Sequence, residues 1–165
     1  MSVYGRILLA GLGSALMLLG AFGFQYIGEF DPCVMCLWQR WPHAVAIVVS
    51  VLAMTALYRW RRPLSVLGMI AVSSGTAIAG WHVGVEQGLW DGPGSCSAAM
   101  DPASMTTEDL LASIEAADLV RCDEVVWDLF GISMAGWNAL ISTGLALLWL
   151  FAALPKTTTP FKVPS

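Results

Sequence analysis

The chain has 165 residues, 57% of them hydrophobic and 12% charged, with a formal net charge of −4, where an ordinary soluble domain carries about 25% charged residues. So few charges cannot cover the surface of a soluble domain of this length, which itself suits a single domain. Eight basic residues set against twelve acidic ones exclude a nucleic-acid surface, and no repeat, glycine-rich nucleotide fingerprint, P-loop or Ser-His-Asp signature is present.

Four stretches contain no Asp, Glu, Lys or Arg: 7–28, 41–58, 63–85 and 129–155. A helix rises about 1.5 Å per residue, so ~20 residues cross a ~30 Å hydrocarbon layer. Each stretch therefore predicts a membrane-crossing helix, at about 7–28, 41–58, 63–85 and 131–154. The first is longer than the ~7–15 residue apolar core of a cleaved signal peptide and reads as a retained helix. After it, Asp31 is set to cap a helix with Pro32 in its first position, following the asymmetry of helix ends. Cys33 and Cys36 would then sit at the positive end of the helix dipole, which favours thiolate. Arg40 follows Cys36 by one turn, and its guanidinium could serve a thiolate, a ligand carbonyl or a lipid headgroup. Pro42 is expected to begin or kink the crossing part of the second helix, because it lacks an N–H.

In the third helix, Gly80 and Gly84 form a small-xxx-small pair expected to let a neighbouring helix approach. The long connection 86–130 contains the turn-forming run Asp91-Gly-Pro-Gly-Ser-Cys96. It also carries an amphipathic stretch, with Thr106 and Asp109 as a capping box and Leu110, Leu111, Ile114 and Ala117 at helical spacing, which predicts a short helix lying on the membrane surface or, as the alternative, packing onto the ends of the bundle. The tail 156–165 is polar and silent on function. His43 and His82 lie near the ends of the second and third helices and are candidates to touch a bound ligand, since ionisable groups at membrane depth are functional candidates by default. The eight tryptophans read mostly as interfacial anchors.

All twelve acidic residues fall in the first and third connections, whereas Arg6, Arg59, Arg61, Arg62, Lys156 and Lys162 fall at the termini and in the second connection. By the positive-inside rule, both termini and the Arg59–Arg62 turn are cytoplasmic. The loops 29–40 and 86–130 then face outward, and they hold all four cysteines, Cys33, Cys36, Cys96 and Cys122. In a bacterium that side is the oxidising periplasm, where disulfides persist. Four cysteines allow three pairings, and spacing alone does not choose among them. The Cys33-Val-Met-Cys36 spacing permits a bond and a lowered thiol pKa, which would leave Cys96 and Cys122 as the second pair. Two structural disulfides are one alternative, although a short Cys33–Cys36 loop would stabilise little. A zinc site needs thiolates kept reduced, and covalent haem attachment needs a His where Leu37 stands.

Four helices, the run Cys33-Val-Met-Cys-Leu-Trp-Gln-Arg40 opening the second, a cysteine pair in a long second loop, and Cys122-Asp-Glu-Val-Val-Trp127-Asp-Leu-Phe-Gly131 leading into the fourth resemble the disulfide bond formation protein B (DsbB) family of bacterial inner membranes. The resemblance spans about residues 5–155 and implies an all-α four-helix membrane bundle acting as a thiol:quinone oxidoreductase. Cys96 and Cys122 match the pair that exchanges with a periplasmic DsbA-like thioredoxin-fold oxidase, with Cys96 the sulfur attacked. Cys33 and Cys36 match the pair reoxidised by quinone, ubiquinone or menaquinone; Cys36 would face the ring and Cys33 would exchange with Cys122. Arg40 matches the quinone-site arginine, and Gln39 is assigned no role. A DsbA-like partner is already strongly oxidising, near −120 mV, so an acceptor more oxidising still must complete the circuit. The rivals are a stapled non-enzymatic membrane protein and a quinone reductase of the vitamin K epoxide reductase type, in which the Cys-X-X-Cys opens the last helix.

Overall fold

The computed structural model describes residues 1–93, Thr106 and residues 121–155. The elements are α1 (Val3–Tyr26), α2 (Val34–Met54), a single 3-10 turn at Tyr58–Trp60, α3 (Arg61–Glu86), β1 (Asp128–Leu129), β2 (Ile132–Ser133) and α4 (Met134–Ala153). All four α-helices are long and apolar enough to cross a membrane, and each packs on its two neighbours in a ring α1–α2–α3–α4. The chain is a multi-pass membrane protein built as a four-helix bundle.

Packing runs opposite to that of a soluble bundle. Large apolar side chains such as Leu12, Leu16, Leu19, Val48 and Ile70 point outward, while Ala10, Ser14, Ala46, Ala53 and Ala79 are buried. Lipid is as apolar as leucine, so helices gain little by hiding large side chains and gain contact by bringing backbones close. Gly68 is the clearest case: a Cβ there would lie 2.7 Å from the ring of Trp149. Trp149 is fully buried, so it fills the bundle core and is not an interfacial anchor. The expected Gly80–Gly84 contact is also different. Gly80 faces open space, and Gly84 receives the indole of Trp90 from the following loop.

Three of the four long helices start at side-chain caps, and α3 does not. Ser2 accepts from Gly5 N–H and Ser133 from Gly136 N–H, the usual use of a short polar side chain at an N-terminus. At α2 the cap is Cys33, whose sulfur accepts the Cys36 N–H at 3.2 Å. Asp31 and Pro32 therefore lie outside the helix they were expected to open. Helix α2 also begins seven residues before its charge-free stretch and carries Pro42 inside it, so proline does not start it. Before α4 the chain makes an antiparallel hairpin, pairing Asp128 with Ser133 and Leu129 with Ile132, where helix was expected from 131. The expected loop helix after Thr106 and the tail lie outside the described residues.

Candidate active site at the cysteine end of the bundle

The cap that starts α2 also builds the site. Taking the Cys36 N–H turns the Cys33 sulfur back over the first helical turn, and the two sulfurs lie 2.9 Å apart. Both are free thiols, Cys33 buried and Cys36 partly so. Cys122, buried and disulfide-bonded, packs with Cys33, Met35 and Val85. Its sulfur lies within 4.8 Å of the Cys33 sulfur and of a His82 ring nitrogen. Hydrogen bonding from Cys36, followed by His82, holds the Cys33 thiol well below its ordinary range against the opposing effect of burial. Of the two thiols, Cys33 is therefore the one whose surroundings favour the thiolate. Cys96 lies outside the described residues.

His82 Nε2 is 3.6 Å from Cys33 Sγ and 4.0 Å from Glu86 Oε1, and its Nδ1 is 3.0 Å from Gln39 Nε2. Glu86 in turn accepts the Ser133 hydroxyl at 2.5 Å, tying α3 to the start of α4. Arg40 does not pair with Glu86. It donates from Nη1 to Gln25 Oε1 at 2.6 Å and lies 5.0 Å from the centre of the Phe22 ring, so two side chains of α1 hold its guanidinium. Its Nε is buried without a hydrogen-bond partner among the described residues. His43 sits deeper, with Nε2 3.1 Å from Asn138 Oδ1 and 3.3 Å from Ser142 Oγ.

These groups edge a cavity of about 290 Å³ whose walls include Leu16, Met17, Phe24, Trp137 and Ile141, with Cys36, Arg40, His43 and His82 on its polar side. An apolar cleft with a few convergent polar groups is what a small lipid-soluble ligand needs. Trp127 and Trp137 line it and Trp38 does not, which leaves Trp38 at the surface.

The family model for Disulfide bond formation protein DsbB matches residues 5–152. The chain belongs to the DsbB family. It is similar to Disulfide bond formation protein B 2 of Pseudomonas syringae pv. syringae (strain B728a), 33% identical over 149 residues, with 87% of this chain and 83% of the relative covered. Disulfide bond formation protein B of Shewanella sp. (strain MR-4) is 33% identical over 152 residues, covering 87% and 83%. That of Marinobacter nauticus is 28% identical over 159 residues, covering 93% and 92%.

DsbB membership implies a part in disulfide bond formation. By type, Cys33, His82 and Cys122 are also metal ligands. Zinc takes thiolates, however, and Cys122 is in a disulfide, so this arrangement suits exchange between sulfurs. As a staple, a Cys33–Cys36 bond would close too short a loop to stabilise the fold much. The sequence reading missed Gln25, Gln39, Asn138, Ser133 and Ser142. The available signal was polarity at membrane depth: Asn138 and Ser142 stand one turn apart inside the last charge-free stretch, and such residues usually face a partner.

Proposed function

We propose that this protein reoxidises a periplasmic DsbA-like thioredoxin-fold oxidase by disulfide exchange and passes the electrons to a membrane quinone, ubiquinone or menaquinone. One observation carries the reading: the Cys33 sulfur lies 2.9 Å from the Cys36 sulfur and within 4.8 Å of that of disulfide-bonded Cys122, at the edge of an apolar cavity. Electrons pass between cysteine pairs only where sulfurs meet, and Cys33 meets both.

In the proposed sequence a partner thiolate attacks Cys96 of a Cys96–Cys122 disulfide, and Cys122 leaves as thiolate. The partner's second thiol resolves the mixed disulfide, so the partner departs oxidised and both loop cysteines are reduced. Cys122 then attacks Cys33 of a Cys33–Cys36 disulfide and expels the Cys36 thiolate. Cys96 attacks Cys122, which restores the loop disulfide and releases Cys33. The result is a Cys33–Cys36 dithiol beside a disulfide-bonded Cys122, the arrangement described above. A quinone bound in the cavity supplies the acceptor for the two electrons and two protons that oxidation of this dithiol releases.

The cavity fits such a group on its own terms. Its walls are largely apolar, and the buried Arg40 Nε–H has no acceptor among the described residues. A quinone carbonyl oxygen would take that proton donor, with Cys36 on the same cavity wall. Both histidines line the cavity; we assign His82, which touches Cys33, to the sulfurs, and His43, whose ring is held by Asn138 and Ser142, to the cavity wall. Arg59, Arg61 and Arg62 lie at the opposite end of the bundle from Cys33, which supports an inner-membrane orientation with cytoplasmic termini and a periplasmic sulfur site.

The order of events is tested by single substitutions. Cys33→Ala and Cys36→Ala should stop quinone turnover while a Cys96–Cys122 disulfide still reacts once with reduced partner. A Cys33→Ala protein that turns over many equivalents would contradict the order.

A further inference from the structure

A line of hydrogen-bonded side chains crosses the bundle from α4 to the sulfurs, and its direction can be worked out from one end. That end is His43, 3% exposed, with Nε2 3.1 Å from Asn138 Oδ1 and no partner for Nδ1 among the described residues. A buried N–H left without an acceptor is rarer than a lone acceptor left without a donor. The His43 proton therefore belongs on Nε2, donated to Asn138 Oδ1. Ser142 donates to the same oxygen at 3.0 Å. With its oxygen so used, Asn138 gives its amide N–H to Gln39 Oε1 at 2.5 Å. Only Nε2 of Gln39 is left to meet His82 Nδ1, 3.0 Å away. A donor there makes Nδ1 an acceptor, and the remaining ring proton sits on Nε2, 3.6 Å from the Cys33 sulfur.

We propose that Gln39 and Asn138 are positioning residues that fix His82 as the neutral Nε2–H tautomer, with its one N–H on the side of the ring that faces the Cys33 sulfur and the Cys122 backbone. Neither touches a sulfur; both act through the imidazole. His82 held this way is a hydrogen-bond donor to the Cys33 thiolate and not the base that takes the Cys33 proton. Exchange with Cys122 puts negative charge on Cys33 whether it attacks or leaves, and a preset N–H stabilises that charge without reorganising. A carboxylate at position 39 would reverse the arrangement: it has no donor for Nδ1 and would draw a proton onto it. The consequence for exchange rests on the function proposed above, whereas the tautomer is a property of the protein alone.

The chain has two histidines, so a ¹⁵N-imidazole NMR spectrum of the full-length reduced protein in detergent micelles resolves both, with His82→Gln giving the assignment. At pH 7 the expected spectrum has the His82 proton on Nε2 alone. Gln39→Glu should add a proton at Nδ1, a change of nitrogen that loss of packing would not produce. Should Gln39→Glu fail to fold, Asn138→Leu should turn the single tautomer into a mixture. A wild-type His82 protonated at Nδ1, or a folded Gln39→Glu protein with an unchanged ring, would overturn the proposal. Neither result depends on quinone or partner, so loss of the electron-transfer reading would leave this test standing.

Discussion

Cys33 concentrates several demands on one atom. It caps α2, touches Cys36, receives His82 and stands beside Cys122. The titratable groups facing it are Cys36, His82 and Glu86, and the thiol is lowered to about 5. A lowered acid keeps its charge, and the stability tied to that charge, above its unfolded value and loses both as pH falls through its folded value. The stability of the dithiol form should therefore rise with pH from about 5 towards the ordinary thiol value of 9.0. The ultraviolet absorbance of the Cys33 thiolate should correspondingly persist as pH falls below 8 and be lost only as pH approaches 5; an absorbance already lost below pH 8 would assign the charge elsewhere. Arg40 carries the second residue-scale prediction. Charge-assisted hydrogen bonds contribute about 1.5–3 kcal/mol, so Arg40→Ala should raise the quinone concentration needed for half-maximal rate by roughly tenfold or more. An unchanged concentration dependence would return Arg40 to the role of a membrane-edge anchor.

At the scale of elements, two local geometries make stability predictions. The β1–β2 hairpin turns through Phe130 and Gly131, at φ 55° and 75°, the pair of positive angles that a two-residue type I′ turn needs. Phe130 is 88% exposed, so its ring gains little from the fold while its backbone sits in the left-handed region, at a cost of roughly 1–2 kcal/mol. Phe130→Asn should raise the thermal midpoint in detergent. Deep in the bundle, Gly68→Val would drive a branched side chain into the rigid Trp149 ring. Overpacking of this kind costs typically about 1–3 kcal/mol, so a lower unfolding midpoint is expected, and the double variant Gly68→Val with Trp149→Leu should recover part of the loss. By contrast, the bidentate Arg121–Asp123 pair is exposed. Removing it should leave the midpoint unchanged, since surface pairs contribute little.

For the molecule as a whole, hydrocarbon imposes its pattern on the chain, and that pattern is legible. Charges are excluded from the crossing segments, so four gaps announce four helices. Helix ends are less legible because backbone hydrogen bonding continues past the lipid edge: α2 runs on through Cys36 and Arg40, beside the site it positions. The hairpin gave no warning, since Phe-Gly is not one of the favoured turn pairs. Within the site, the cysteine spacing and Arg40 stand out by residue type. The chain Gln39–Asn138–His43 does not, because neutral amides leave no charge signal and Gln39 and Asn138 are 99 positions apart. What joins these parts is the proposed flow of electrons from a soluble dithiol to a lipid-soluble acceptor. It is tested most directly by following the ultraviolet absorbance of ubiquinone-1 mixed with the purified protein and excess reduced DsbA-type partner. Sustained catalytic loss of the quinone band, abolished by Cys36→Ser, is the predicted result. No loss with ubiquinone or menaquinone analogues, from folded protein with its loop disulfide intact, would contradict it.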